Sequence, residues 1–201
     1  MHYDRYRHKL TSEAINALPT FSYEGEVRLV RTEEDLADAL PVLRGETVLG
    51  FDTETRPNFR KGKMNPPSLI QLAAAEAVYL VQLTWLPLGA ELAAILANPD
   101  IVKAGVSILD DIRALQKLHP FEPAGLADLG HVAKAMRLET RGLRNLAANF
   151  FGFRISKGPQ CSNWSQTVLS ARQMIYAATD AWIGRMVYLR MLELGMIEDG
   201  L

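Results

Sequence analysis

Three short stretches of this 201-residue chain hold the side chains best able to do chemistry. Phe51-Asp52-Thr53-Glu54 puts two carboxylates two positions apart, and on a strand such side chains share a face. Buried together they repel, and burial raises their pKa values; a divalent cation removes both difficulties. Asp110 and Asp111 follow the run Lys103-Ala104-Gly105-Val106 and stand where a helix should begin. Tyr176 and Asp180 lie four apart in a long helical stretch, on one face, with only Ala177, Ala178 and Thr179 between them. Each pattern alone has a plainer reading. Asp52 and Glu54 can be exposed strand-end acids or partners of Arg56, one of the aspartates at 110–111 can simply cap its helix, and Tyr176 can be a packing residue. Together they suggest more. Carboxylates from a strand, a helix start and a helix interior can converge on two hard cations, which take oxygen ligands. Two such ions roughly 4 Å apart stabilise both the attacking and the leaving oxygen of an in-line phosphoryl displacement. Tyr176 can then orient the attacking water; with a pKa near 10 it is a poor base by itself.

Elements that position these residues are legible around them. Residues 1–24 read as an extension in which Thr11 to Leu18 forms a short helix, capped by Thr11 or Ser12 and stopped by Pro19; the domain proper is expected over 25–201. Val27 to Val30 predicts a strand, and Thr32 an N-cap for the helix that follows. Val48 to Phe51 is a buried strand. Arg56 to Pro67, with three prolines and four cations, is a loop. Ser68 to Leu72 and Ala77 to Val81 form a hairpin. Leu88 to Ala97 is a helix, Val102 to Val106 a strand and Asp110 to Leu118 a helix. Helices are expected again over roughly Leu126–Met136, Leu143–Phe151 and Ala171–Leu194. Strands first, then alternation, then helices describe a layered α/β or α+β domain.

Bulk properties set the class. With 48% hydrophobic and 22% charged residues, the chain can bury one substantial core. No apolar run approaches the roughly 20 residues that span a bilayer, and Met1-His2-Tyr3-Asp4-Arg5 lacks the apolar segment of a secretory signal. The single cysteine, Cys161, excludes an internal disulfide and fits a cytoplasmic protein. One cysteine and four scattered histidines also speak against zinc. A net charge of −1 does not announce a nucleic-acid partner, but its distribution does. Residues 55–75 and 140–179 contain no acid and nine cations, while the other 140 residues hold 13 basic and 23 acidic side chains. Two acid-free windows suit a polyanion track, although charge runs are often only solvated faces.

Phe-Asp-Thr-Glu-Thr at 51–55, Ala-Gly-Val-Ser-Ile-Leu-Asp-Asp at 104–111 and Tyr-Ala-Ala-Thr-Asp-Ala at 176–181 resemble the three motifs of the DEDDy exonucleases, the ribonuclease D and Werner-helicase exonuclease group. Gly142-Leu143-Arg144-Asn145-Leu146 and Ser156 to Trp164 are similar to this family as well, so the likeness covers about residues 26–195. It implies a ribonuclease-H-like fold of the α/β class, a mixed central sheet with helices on both faces. It implies a 3′-5′ exonuclease acting on single-stranded DNA or RNA ends, DNA slightly favoured, with two divalent cations, Mg²⁺ or Mn²⁺, and release of nucleoside 5′-monophosphates. The matched positions are Asp52 and Glu54, Asp111, and Tyr176 and Asp180, the four acids being metal ligands. Asp111 is preferred to Asp110 because the family places its acid eight positions after the lysine matching Lys103; Asp110 is then a cap or a supporting group, and Asp128 is structural. Substrate contacts are expected from Thr55, Arg56, Lys61 and Lys63 in the first basic window and from Arg144, Lys157 and Trp164 in the second. Asn163 stands where the family commonly has aspartate, a departure that touches no motif carboxylate. Arg60 to Lys63 before Leu69-Ile70-Gln71-Leu72 looks like the Werner-type branch, and no helicase appendage fits within 201 residues. A nanoribonuclease that finishes dinucleotides and a non-cutting nucleic-acid-binding module of the same fold are the competing expectations.

Overall fold

The computed structural model describes residues 4–58 and 65–197. Six strands form the main sheet: β2 (Glu26–Val30), β3 (Val48–Thr55), β4 (Pro67–Ala73), β5 (Ala77–Gln82), β6 (Val102–Gly105) and β7 (Leu126–Asp128), in the order β2-β5-β4-β3-β6-β7. The centre is an antiparallel meander of β3, β4 and β5, and β2, β6 and β7 join its flanks in parallel. A separate ladder pairs β1 (Thr20–Phe21) in parallel with β8 (Arg154–Ile155).

Helices cover both faces, as the alternation of side chains along β3 requires. Leu49 and Phe51 point into a core built with α2 (Glu33–Gly45), α3 (Ala90–Ala97) and α4 (Ile108–Gln116). Val48, Gly50, Asp52 and Glu54 face the other way, toward α5 (Leu129–Ala135), α6 (Leu143–Phe151) and above all α7 (Ala171–Glu193). Thr32 caps α2 through a reciprocal pair with Asp35, and Ser170 caps α7 in the same way with Gln173. Each device satisfies two backbone donors that would otherwise be left over at the helix start. Lys103 in β6 is fully buried without a carboxylate partner among the described residues; its ammonium donates to the carbonyls of Asn98 and Ile101 and so pins the turn between α3 and β6.

Several expected boundaries shift. Leu126 to Asp128 is an edge strand, not the first turn of a helix, and Asp128 caps α5 by accepting from the backbone of Gly130 and His131. The helix carrying Asp111 starts two residues early, after Ser107 at φ 62°, so Asp110 lies inside its first turn and caps nothing. Thr11 does cap the short helix α1 (Ser12–Ala17). The segment before residue 25 is nevertheless not separate in packing. Tyr6 is buried against Phe150, ring centroids 4.9 Å apart, and the Tyr23 N–H donates to the Thr179 hydroxyl in α7 at 3.0 Å. Of the loop expected over 56–67, the described residues 56–58 and 65–66 carry no strand or helix, β4 begins at Pro67, and 59–64 lie outside the described residues.

Small residues let α7 lie directly on the sheet. A Cβ added at Gly50 would sit 2.0 Å from the Ala181 carbonyl oxygen, and one at Gly184 would sit 2.9 Å from that of Ala104. Gly50→Ala should therefore push α7 off β3. We expect a loss of roughly 1–3 kcal/mol, the usual cost of overpacking a dense core, measured by chemical denaturation, with an unchanged midpoint showing that the contact is slack.

Candidate active site

At the carboxyl end of β3, Asp52 and Glu54 point up from the strand and Asp180 points down from α7. Oxygens of these three carboxylates lie within 4.8 Å of one another. Asp111 approaches from the other side of β3. The Thr53 hydroxyl, which faces opposite to its neighbours, donates to Asp111 Oδ1 at 2.5 Å, and the Thr53 N–H donates to Asp52 Oδ1 at 2.9 Å. One threonine between two acids thus ties the first motif to the second. Asp110 turns away: its side chain is 84% exposed and paired with Arg113 at 2.8 Å. Tyr176 lies one turn before Asp180, its ring tilted against Trp164 with centroids 6.1 Å apart.

A family model described as 3′-5′ exonuclease matches residues 27–195. The chain belongs to this family. Bifunctional 3′-5′ exonuclease/ATP-dependent helicase WRN of Mus musculus is 34% identical over 156 residues, which are 74% of this chain and 11% of that protein. Ribonuclease D of Gluconacetobacter diazotrophicus is 33% identical over 171 residues, 82% of this chain and 42% of that protein. This exonuclease domain therefore spans less than half the length of either relative. Among solved structures, the Nibbler EXO domain of Aedes aegypti superposes with a TM-score of 0.75 at 25% identity, covering 93% of this chain and 94% of that one.

Electrostatics within the exonuclease domain fit a cation site. Burial raises Asp52 well above its ordinary value, and the charges of Asp180 and Asp111 add to the rise. Burial, then Asp52, Asp180 and Asp111, push Glu54 up to about 9. Burial raises Asp180 to about 7 against the opposing effect of the Tyr176 hydroxyl, and it raises Asp111 to about 6 against the Thr53 hydrogen bond. Four hard oxygen donors that resist losing their protons together are what a divalent cation relieves. Burial and the Asp180 charge also drive Tyr176 upward, so its phenol stays neutral and can position a group but not serve as a base.

The expected substrate contacts divide. Arg144 and Lys157 line a groove of about 300 Å³ that ends on Tyr176 and Asp180. Thr55 is half-buried at the β3 end, where the register with β4 shifts, and Arg56 is exposed beside a second groove of about 370 Å³. Lys61 and Lys63 lie outside the described residues. Trp164 corrects its expectation: it is fully buried, its indole N–H donating to the Gln160 carbonyl, so it supports Tyr176 from below and offers no face to a base. Cys161 is exposed near the site, outside the core. Missing from the sequence reading was a cleft of about 400 Å³ on the far side of Tyr176 and Asp180, walled by Thr20, Phe21 and Ser22 together with Arg172 and Ile175. Its N-terminal wall belongs to no motif, and only the tertiary fold brings it here. The Thr53 link was missed too, since alternation alone turns that side chain away from the acids.

A pH dependence follows from the raised carboxyls. Without metal, the folded state keeps protons that the unfolded chain releases near pH 4, so stability falls as pH rises through the folded values of about 6, 7 and 9. Melting temperatures of the metal-free protein should drop between pH 5 and pH 9, and saturating Mn²⁺ should flatten that slope. A metal-free profile that rises across this window contradicts the electrostatic account.

Proposed function

We propose that this domain is a metal-dependent 3′-5′ exonuclease that removes the terminal nucleotide from single-stranded DNA or RNA and releases nucleoside 5′-monophosphates. The convergence of three buried or partly buried carboxylates within 4.8 Å, with a fourth tied to them through Thr53, carries the reading. Two divalent cations, Mg²⁺ or Mn²⁺, held by Asp52, Glu54, Asp111 and Asp180, would supply the positive charge that stabilises the attacking and leaving oxygens. Tyr176 holds the attacking water in line, and its neutral hydroxyl is suited to that because it neither repels the scissile phosphate nor competes for protons. Arg144 and Lys157 hold backbone phosphates of the strand as it leaves the acids. Two grooves, of about 400 and 300 Å³, share Tyr176 and Asp180 as lining, and that extent favours strands over dinucleotides. All five chemical positions are filled, which favours cutting over mere binding. No helix among the described residues is long and apolar enough to cross a membrane.

The test is a time course on 5′-labelled DNA, RNA and dinucleotide substrates with Mg²⁺, Mn²⁺ or EDTA. A ladder shortening from the 3′ end, abolished by EDTA, is expected; cuts in circular single strands sink the proposal, and activity confined to dinucleotides makes it a nanoribonuclease. In the same assay Asp111→Asn should be inactive and Asp110→Asn close to wild type, the reverse order moving the ligand by one residue. Tyr176→Phe should lower turnover about a hundredfold to ten-thousandfold, the usual contribution of such a group, with substrate binding nearly intact. Undiminished turnover leaves Tyr176 as a packing residue.

A further inference from the structure

Beside the acids lies a buried polar group that the chemistry above does not use. Gln71 sits in the middle of β4, directly across the ladder from Asp52 and so on the same face of the sheet. It is fully buried, and neither its carboxamide nitrogen nor its oxygen has a hydrogen-bond partner among the described residues. Apart from Asp52 and, diagonally, Glu54, its neighbours on that face are apolar: Leu69 and Ala73 along the strand, Leu80 across the next ladder, and Ala177, Ala178 and Ala181 of α7. Packing alone favours a methionine or leucine here, because an amide buried with both ends unpaired loses its water and gains nothing. Gln82 on β5, the other glutamine of this face, donates to the Gln166 carbonyl and secures the segment before α7. Gln71 has no such structural use.

Across the ladder, Asp52 is the polar group in line with that amide. A carboxylate offers about four acceptor positions. The Thr53 N–H takes one of them, which leaves room for cations and for a further donor. We infer that Gln71 is a positioning residue whose amide N–H, through one bridging water, fixes the Asp52 carboxylate in the orientation that binds metal. The inference rests on the proposed metal site and extends it to a residue outside the three motifs. Groups that orient a metal-binding side chain in this way typically change metal affinity by about ten- to a hundredfold.

The experiment is calorimetric titration of Mn²⁺ into wild-type and Gln71→Met protein, together with the metal-free melting temperature of each. Removing an unpaired amide in favour of an apolar side chain of similar length should leave the metal-free melting temperature equal or higher. The same change should weaken Mn²⁺ binding roughly tenfold to a hundredfold, and turnover at limiting Mn²⁺ should fall in proportion and recover as Mn²⁺ is raised. Unchanged Mn²⁺ affinity in Gln71→Met overturns the inference, as does a lowered melting temperature with affinity intact, which would make Gln71 a packing residue. Should the methionine variant fail to fold, Gln71→Leu is read by the same two measurements. Wild-type protein that takes up no Mn²⁺ removes the metal site itself, a failure of the functional proposal that is distinct from equal binding by wild type and variant.

Discussion

A helix backbone rests on a strand backbone where Ala181 of α7 meets Gly50 of β3, with no side chain between them. That contact sets the height of α7 above the sheet and so the distance from Asp180 to Asp52 and Glu54. Alanines 177, 178 and 181 and Gly184 keep the interface thin along the length of the helix. Larger residues would cost packing energy and would also lift Asp180 out of reach. Composition along this stretch is governed by reach more than by the amount of apolar surface covered.

Bringing like charges together costs stability, and the surroundings show how that cost is contained. Thr53 serves two acids at once, donating its N–H to Asp52 and its hydroxyl to Asp111. Capping devices at Thr32 and Ser170 and the buried ammonium of Lys103 leave few polar groups unsatisfied elsewhere. Among the described residues no lysine or arginine forms an ion pair with Asp52, Glu54, Asp111 or Asp180. A site with an internal counter-cation would have little left to offer a metal ion.

How much of this the sequence disclosed depends on whether the signal was local. Helix α6 runs over Leu143–Phe151 as expected because Gly142 and Gly152 punctuate both ends. The hairpin of β4 and β5 and the caps at Thr11 and Thr32 are equally local. Asp52, Glu54 and Asp180 could be paired from spacing and family resemblance together, and the structure brings them together. What was misread depends on contacts distant in sequence. Leu126 to Asp128 looks helical until β6 supplies a partner, and two-residue strands such as β1 and β8 carry no periodicity at all. Trp164 was expected at the substrate because it lies in the second acid-free window, yet it is fully buried against Tyr176 of α7. Asp110 looked like a cap because the left-handed turn at Ser107, which starts the helix early, leaves no mark in residue type.

The acids of this site come from β3, α4 and α7, and Tyr23 is clasped by α7 through Thr179. During synthesis the strand with Asp52 and Glu54 emerges first, and more than a hundred residues must follow before Asp180 can face it. A nascent chain short of α7 has Asp52, Glu54 and Asp111 but lacks Asp180, and one face of its sheet is uncovered. Convergence of the four acids therefore coincides with completion of the fold, because pairings this remote in sequence form late and slowly.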